Sequence, residues 1–121
     1  MEKVTGIGGV FFRAEEPELV AAWYLENLGV SPVPRSGDQL PWVQEEGPTV
    51  FAPFDRETAY FGNPAQSWMI NFRVRDLDLM VAQLEKSGAD VMLNEEEDPI
   101  GRFARLSDSE GNPIELREPA A

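Results

Sequence analysis

The chain has 121 residues, 42% of them hydrophobic, a formal net charge of -12, and neither cysteine nor histidine. That length fits one domain around one core. The charge excludes a nucleic-acid partner, whose phosphates such a surface repels, and the missing residue types exclude disulfides, thiolate chemistry, a histidine base and any metal site built on imidazole.

Gly6 to Arg13 reads as a strand by its two-residue alternation, with Ile7, Gly9, Phe11 and Arg13 on one face. Ala14-Glu15-Glu16-Pro17 turns into a helix over Pro17–Leu28. Proline suits the first helical turn, and the acids suit its positive end. Val20, Trp23, Tyr24 and Leu28 recur at helical spacing, which places Trp23 and Tyr24 in the core, and Gly29 stops the helix. From Val30 to Asp38, Pro32, Pro34 and Ser36-Gly37 mark a loop or a short edge strand. Leu40 to Gln44 and Thr49 to Phe54 read as two strands joined by a turn at Glu45 to Pro48. Residues 55–64 connect two halves, and Tyr60 and Phe61 within them are expected to pack.

The second half starts near Ser67 with a strand through Ile70 to Val74, in which Met69, Asn71 and Arg73 share one face. Asp76 is a plausible N-cap for a helix whose stripe is Leu77, Met80, Val81 and Leu84, ending at Gly88. Val91 to Asn94 is a strand, ended by the acidic run Glu95 to Asp98, which reads as a solvated loop. Gly101 to Leu106 and Pro113 to Arg117 are strands around a hairpin turn at Asp108-Ser109-Glu110-Gly111-Asn112. The two halves repeat: Phe12 matches Phe72 and Arg13 matches Arg73, sixty residues apart. The expected fold class is α+β, two tandem βαβββ modules in a single domain, about 4–63 and 67–119, with a cleft where they meet.

The segments VFFRAEEPELVAAWYLENLGV, INFRVRDLDLMVAQLEKSGADV and GRFARLSDSEGNPIEL resemble the vicinal oxygen chelate superfamily of glyoxalases, bleomycin-resistance proteins and extradiol dioxygenases. The ending Asp-x-x-Gly-Asn-Pro-x-Glu-Leu is the most specific part. The resemblance implies a homodimer, often with modules of both chains sharing a cleft. It also implies a metal held at cleft positions that fall here on Gly9, Phe51, Met69 and Glu115. Only Glu115 is a ligand type, and one carboxylate cannot hold a catalytic ion, so no metal or other cofactor is expected.

Strand alternation makes Phe11, Arg13, Phe51, Met69, Asn71, Arg73, Glu115 and Arg117 the cleft-facing candidates, joined by Trp42, Phe54 and Phe103. Such a surface suits a small molecule. Arg13 and Arg73 can clamp a carboxylate, or they can be paired internally with Glu115. Glu115 can be a catalytic base, or a carboxylate kept for an ion pair. Three functions stay open: a metal-free small-molecule binder of the glyoxalase and bleomycin-resistance type, a lyase or isomerase of the glyoxalase type, with or without a metal, acting on an α-hydroxy or dicarbonyl compound with Glu115 as base, and a structural or regulatory dimer with an inert cleft. No apolar run reaches the ~18 residues of a membrane span, and Met1-Glu2-Lys3 does not open a signal peptide. A cytoplasmic location is the expectation.

Overall fold

Two helices and four strands make up the regular structure of the computed structural model, which describes residues 1–120, the side chains of 95–98 excepted. Helix α1 spans Pro17–Leu28 and α2 spans Leu77–Lys86. Strands β1 (Ile70–Arg73), β2 (Met92–Asp98), β3 (Gly101–Ser107) and β4 (Pro113–Pro119) form one open sheet in the order β1-β4-β3-β2. β1 and β4 are parallel; the other neighbours are antiparallel. The parallel pair needs a crossover, which α2 supplies. The fold is α+β.

Local chemistry explains the boundaries. Pro17 opens α1, and Gly29 closes it in a left-handed conformation whose N–H reaches the Leu25 carbonyl. The Asp76 side chain accepts the Leu79 N–H at 3.0 Å and caps α2, as its position predicted. The Glu118 carboxylate, reaching from β4, accepts the Leu77 N–H at 3.0 Å.

One face of the sheet carries both helices. Ala104, Leu106, Ile114 and Leu116 of the sheet meet Leu77, Val81 and Leu84 of α2 and Val20 and Tyr24 of α1, all buried. Trp23 packs edge-on to Tyr24, partly buried beside this core. Burial of a large aliphatic side chain contributes about 1.5–3 kcal/mol, so fully buried Leu77, Leu84, Ile114 and Leu116 dominate the packing.

The β3–β4 turn locks α1 onto this sheet. Gly111, at φ +83°, makes the reversal, and its N–H bonds the Asp108 carbonyl. The buried Asp108 carboxylate accepts the N–H groups of Glu110 and Asn112 at 2.9 and 3.0 Å and the Asn112 side-chain amide at 2.8 Å. It also accepts the Tyr24 hydroxyl at 2.7 Å. Glu110, in the same turn, takes the N–H groups of Glu15 and Glu16 at 2.9 Å each. These bonds occupy the free N–H groups at the entrance of α1, whose own N-cap side chain makes none.

Two expectations are corrected. The segments 6–13, 40–44 and 49–54, read as strands, have no strand pairing, and every strand among the described residues lies between residues 70 and 119. Strands need neighbours, and a hairpin alone is marginal in water; here Pro41, Pro48 and Pro53 remove donors as well. Ile7, Val10, Val43 and Val50 stay exposed as a result. The acidic run 95–98, read as a loop, instead continues β2 with a register shift between Asn94 and Asp98; the expected solvation of its side chains lies outside the described residues. No helix among the described residues is long and apolar enough to cross a membrane.

Tyr24→Phe is expected to lower unfolding free energy by about 1.5–3 kcal/mol, the value of a hydrogen bond to a charged group. Asp108→Ala is expected to cost about 3 kcal/mol or more, because it also strips acceptors from buried donors. Urea denaturation measures both. Burial, and then the hydrogen bond to Asp108, push the Tyr24 hydroxyl far above its ordinary pKa of 10.0. The unfolded chain therefore releases this proton above about pH 10 while the native state keeps it, so stability is complete below that pH and falls as pH rises through it. Denaturation at graded alkaline pH should show this fall, and Tyr24→Phe should flatten it.

Candidate functional site

β4 divides its side chains between two worlds. Ile114 and Leu116 enter the helix-covered core, so Glu115 and Arg117 occupy the opposite face. Register then fixes their company. Asn71 of β1 and Arg105 of β3 lie opposite Glu115, while Arg73 of β1 and Phe103 of β3 lie opposite Arg117. The face away from the helices thus carries three arginines around one carboxylate.

Glu115 is 6% exposed. Its Oε1 accepts the Asn71 amide at 2.7 Å, and its Oε2 accepts the Tyr60 hydroxyl. Tyr60 comes from the loop between the halves. The Arg105 guanidinium lies 4.6 Å from the centre of the Tyr60 ring, donates to the Tyr60 carbonyl, and reaches within 3.5 Å of Met69 Sδ. Phe54 stacks obliquely on Tyr60 and on Phe61, with ring centres 5.3 Å apart in each case.

Arg73 is engaged with the turn at residues 45–48. Its Nη2 donates to the Glu45 carbonyl at 3.0 Å, and a Cβ at Gly47 would lie 1.9 Å from its Nη1, so glycine lets the turn pass directly over the guanidinium. Arg75 binds the Glu45 carboxylate beside it. Arg117, 8% exposed, has a fully buried Nε with no hydrogen-bond partner.

The structure therefore brings together Met69, Asn71, Arg73, Phe103, Glu115 and Arg117 of the expected residues, with Phe54 joining through Tyr60. It leaves others out. Phe11 is 94% exposed with its ring folded back on Gly9, Phe51 is 87% exposed, and Arg13 is exposed. Trp42 packs edge-on to Phe72, which lies against the helix-side core. The proposed internal pairing of Glu115 with Arg13 or Arg73 is replaced by its bonds to Tyr60 and Asn71. Tyr60 and Arg105 were not anticipated. Alternation from Phe103 pointed to Arg105; nothing periodic surrounds Tyr60.

The four positions at which the superfamily resemblance implies metal ligands do not, by their chemistry, fit a divalent ion. Gly9 and Phe51 offer no side-chain donor, Met69 offers a soft thioether already against Arg105, and Glu115 alone is a hard donor. Among the described residues no three His, Cys, Asp or Glu side chains gather into a metal-binding group. A carboxylate accepts at roughly four lone-pair positions, so Glu115 keeps acceptor capacity for a ligand beside Tyr60 and Asn71.

The fold recurs in solved structures. TnmS3, an antibiotic binding protein from Streptomyces sp. CB03234, is 20% identical, with a TM-score of 0.62 over 99% of this chain and 100% of its own. A glyoxylase/bleomycin resistance protein/dioxygenase domain from Frankia sp. EAN1pec is 20% identical, with a TM-score of 0.63 over 98% of this chain and 100% of its own. TioX from Micromonospora sp. ML1 is 18% identical, with a TM-score of 0.51 over 89% of this chain and 91% of its own. At such identities the likeness speaks to fold alone. Comparison with curated proteins returns no match. The Glyoxalase-like domain family matches residues 9–117. That match, with the shared fold, makes this chain a member of the glyoxalase-like domain family within the vicinal oxygen chelate superfamily.

Proposed function

We propose that this protein is a metal-free, cytoplasmic binder of a small, partly aromatic molecule, which rests on the sheet face around Glu115. The carrying observation is the state of Glu115: the one hard donor among the ligand-equivalent positions has each oxygen bonded to a neighbouring side chain, Tyr60 or Asn71. A carboxylate held this way orients a polar group of a ligand. Phe54, Met69, Tyr60 and Phe103 supply apolar and aromatic surface beside it, the usual make-up of a small-molecule site. That TnmS3, of the same fold, is an antibiotic binding protein supports a ligand of antibiotic type.

The partner we propose is a second copy of this chain. Ile7, Val10, Phe11, Val43, Val50 and Phe51 lie exposed in segments that join no sheet among the described residues. Both edge strands of the sheet, β1 and β2, end it openly. Exposed apolar segments and open edges are liabilities that a soluble protein covers. Association with an identical chain would cover both and bring Phe11 and Phe51 towards a cleft.

Protein purified without a histidine tag is expected to hold no stoichiometric divalent ion and to show no rise in Tm with Ni, Zn, Mn or Fe, since an ion bound only by the native state must stabilise it. An ion retained by the protein and lost in Glu115→Ala would overturn the metal-free reading. Glu115→Gln is expected to weaken binding of an aromatic antibiotic by about tenfold or less. Turnover of an α-hydroxy or dicarbonyl compound that this substitution abolishes would instead establish an enzyme. Sedimentation equilibrium is expected to give twice the 13.5 kDa chain mass, with Phe51→Asp shifting the population to monomer; a wild-type monomer at all concentrations would remove the dimer.

A further inference from the structure

We infer that the ligand of this face is an anion: it carries a carboxylate that Arg117 receives, with Arg73 at its side. The inference rests on the small-molecule reading above and adds the charge of what is bound.

Arg117 is 92% buried by its 8% exposure, and its Nε is sealed from solvent without a partner. Among the described residues its guanidinium makes no ion pair and donates no hydrogen bond. A buried charge without a counter-charge is costly, and folded chains rarely keep one. Here the cost is compounded. Arg73 stands directly opposite on β1, so two cations leave neighbouring strands on one face, an arrangement that is destabilising in itself. Arg105 adds a third on the same face.

The chain does not lack acids to neutralise them. It has 22 acidic and 10 basic residues. Glu115, the carboxylate nearest in register, is turned instead to Tyr60 and Asn71. Arg102, on the helix-facing side of β3, has Asp78 at 2.9 Å and Glu118 at 4.0 Å. Those two acids serve Arg102, and among the described residues none pairs with Arg117. The two terminal nitrogens of its planar guanidinium, unlike the sealed Nε, keep access from outside, and such a pair receives a carboxylate through two parallel hydrogen bonds. Phe103, opposite Arg117 on β3, offers an aromatic wall to the body of such a molecule. An aryl carboxylate matches both features.

The test compares benzoate with benzamide, which share shape and ring and differ in charge, by isothermal titration calorimetry on the full chain. Benzoate is expected to bind at least about tenfold more tightly, the difference a charged hydrogen-bonded pair makes. Arg117→Gln should erase that preference, and Lys86→Gln, on α2, should leave it intact. A second readout separates a binding arginine from a structural one. Arg117→Leu is expected to raise the ligand-free Tm by several degrees, because it removes an unpaired buried charge. Equal binding of benzoate and benzamide would overturn the anion site and leave the cleft standing. Binding of neither would overturn both. A fall in the ligand-free Tm of Arg117→Leu would show that the protein itself satisfies Arg117, and would sink the inference.

Discussion

The buried carboxylate of Asp108 ties α1, from the first half of the chain, to the β3–β4 turn in the second. It accepts three donors from its own turn and a fourth, the Tyr24 hydroxyl, from α1. A carboxylate at 6% exposure is costly to bury unless it is hydrogen-bonded, and these four donors meet that need. With them it becomes the point at which an early helix is fixed to a late hairpin, 84 residues along the chain. Glu110 reinforces the junction by taking the N–H groups that lead into α1. The Asp-x-x-Gly-Asn motif that most resembles the superfamily is therefore scaffold rather than chemistry: Asp108 accepts, Gly111 turns and Asn112 donates.

That scaffold decides where β4 lies, and β4 decides what the site is. Its inward residues, Ile114 and Leu116, are fixed in the core at 1% and 0% exposure. A slip of one residue would exchange them for Glu115 and Arg117, putting two charges under the helices. Core packing thereby holds the polar face in register without touching it. The same constraint explains how a charge such as Arg117 is kept: the strand cannot move to relieve it, because its alternate residues are committed on the other side.

The first half contributes differently from the second. α1 joins the core of the sheet, and the loops lend Tyr60 to Glu115 and the 45–48 turn to Arg73. Its extended segments contribute no strand, although their alternation matches that of β1 closely enough to reveal the repeat. Alternation records which residues are fit to lie on a pleated surface; pairing requires another strand within hydrogen-bond reach, and the single chain provides none there.

The sequence by itself determined the two helices, the β3–β4 hairpin and the division of β1 and β4 into two faces. The signals for these act over a few residues: Pro17 and Gly29 at the ends of α1, Asp76 at the start of α2, Gly111 in the turn, and alternation within strands. Alternation put Asn71 with Arg73, and Glu115 with Arg117, on one face of their own strands; that the two strands lie side by side is a matter of sheet order. Only the tertiary structure decided their partners. Glu115 meets Tyr60 from 55 residues away and Asn71 from 44, and neither an ion pair nor a hydrogen bond at that range leaves a trace in local pattern. Which arginine is covered by a turn and which is buried with no partner at its Nε among the described residues depends on strand register and loop path together, and those are set by the packing of the whole chain.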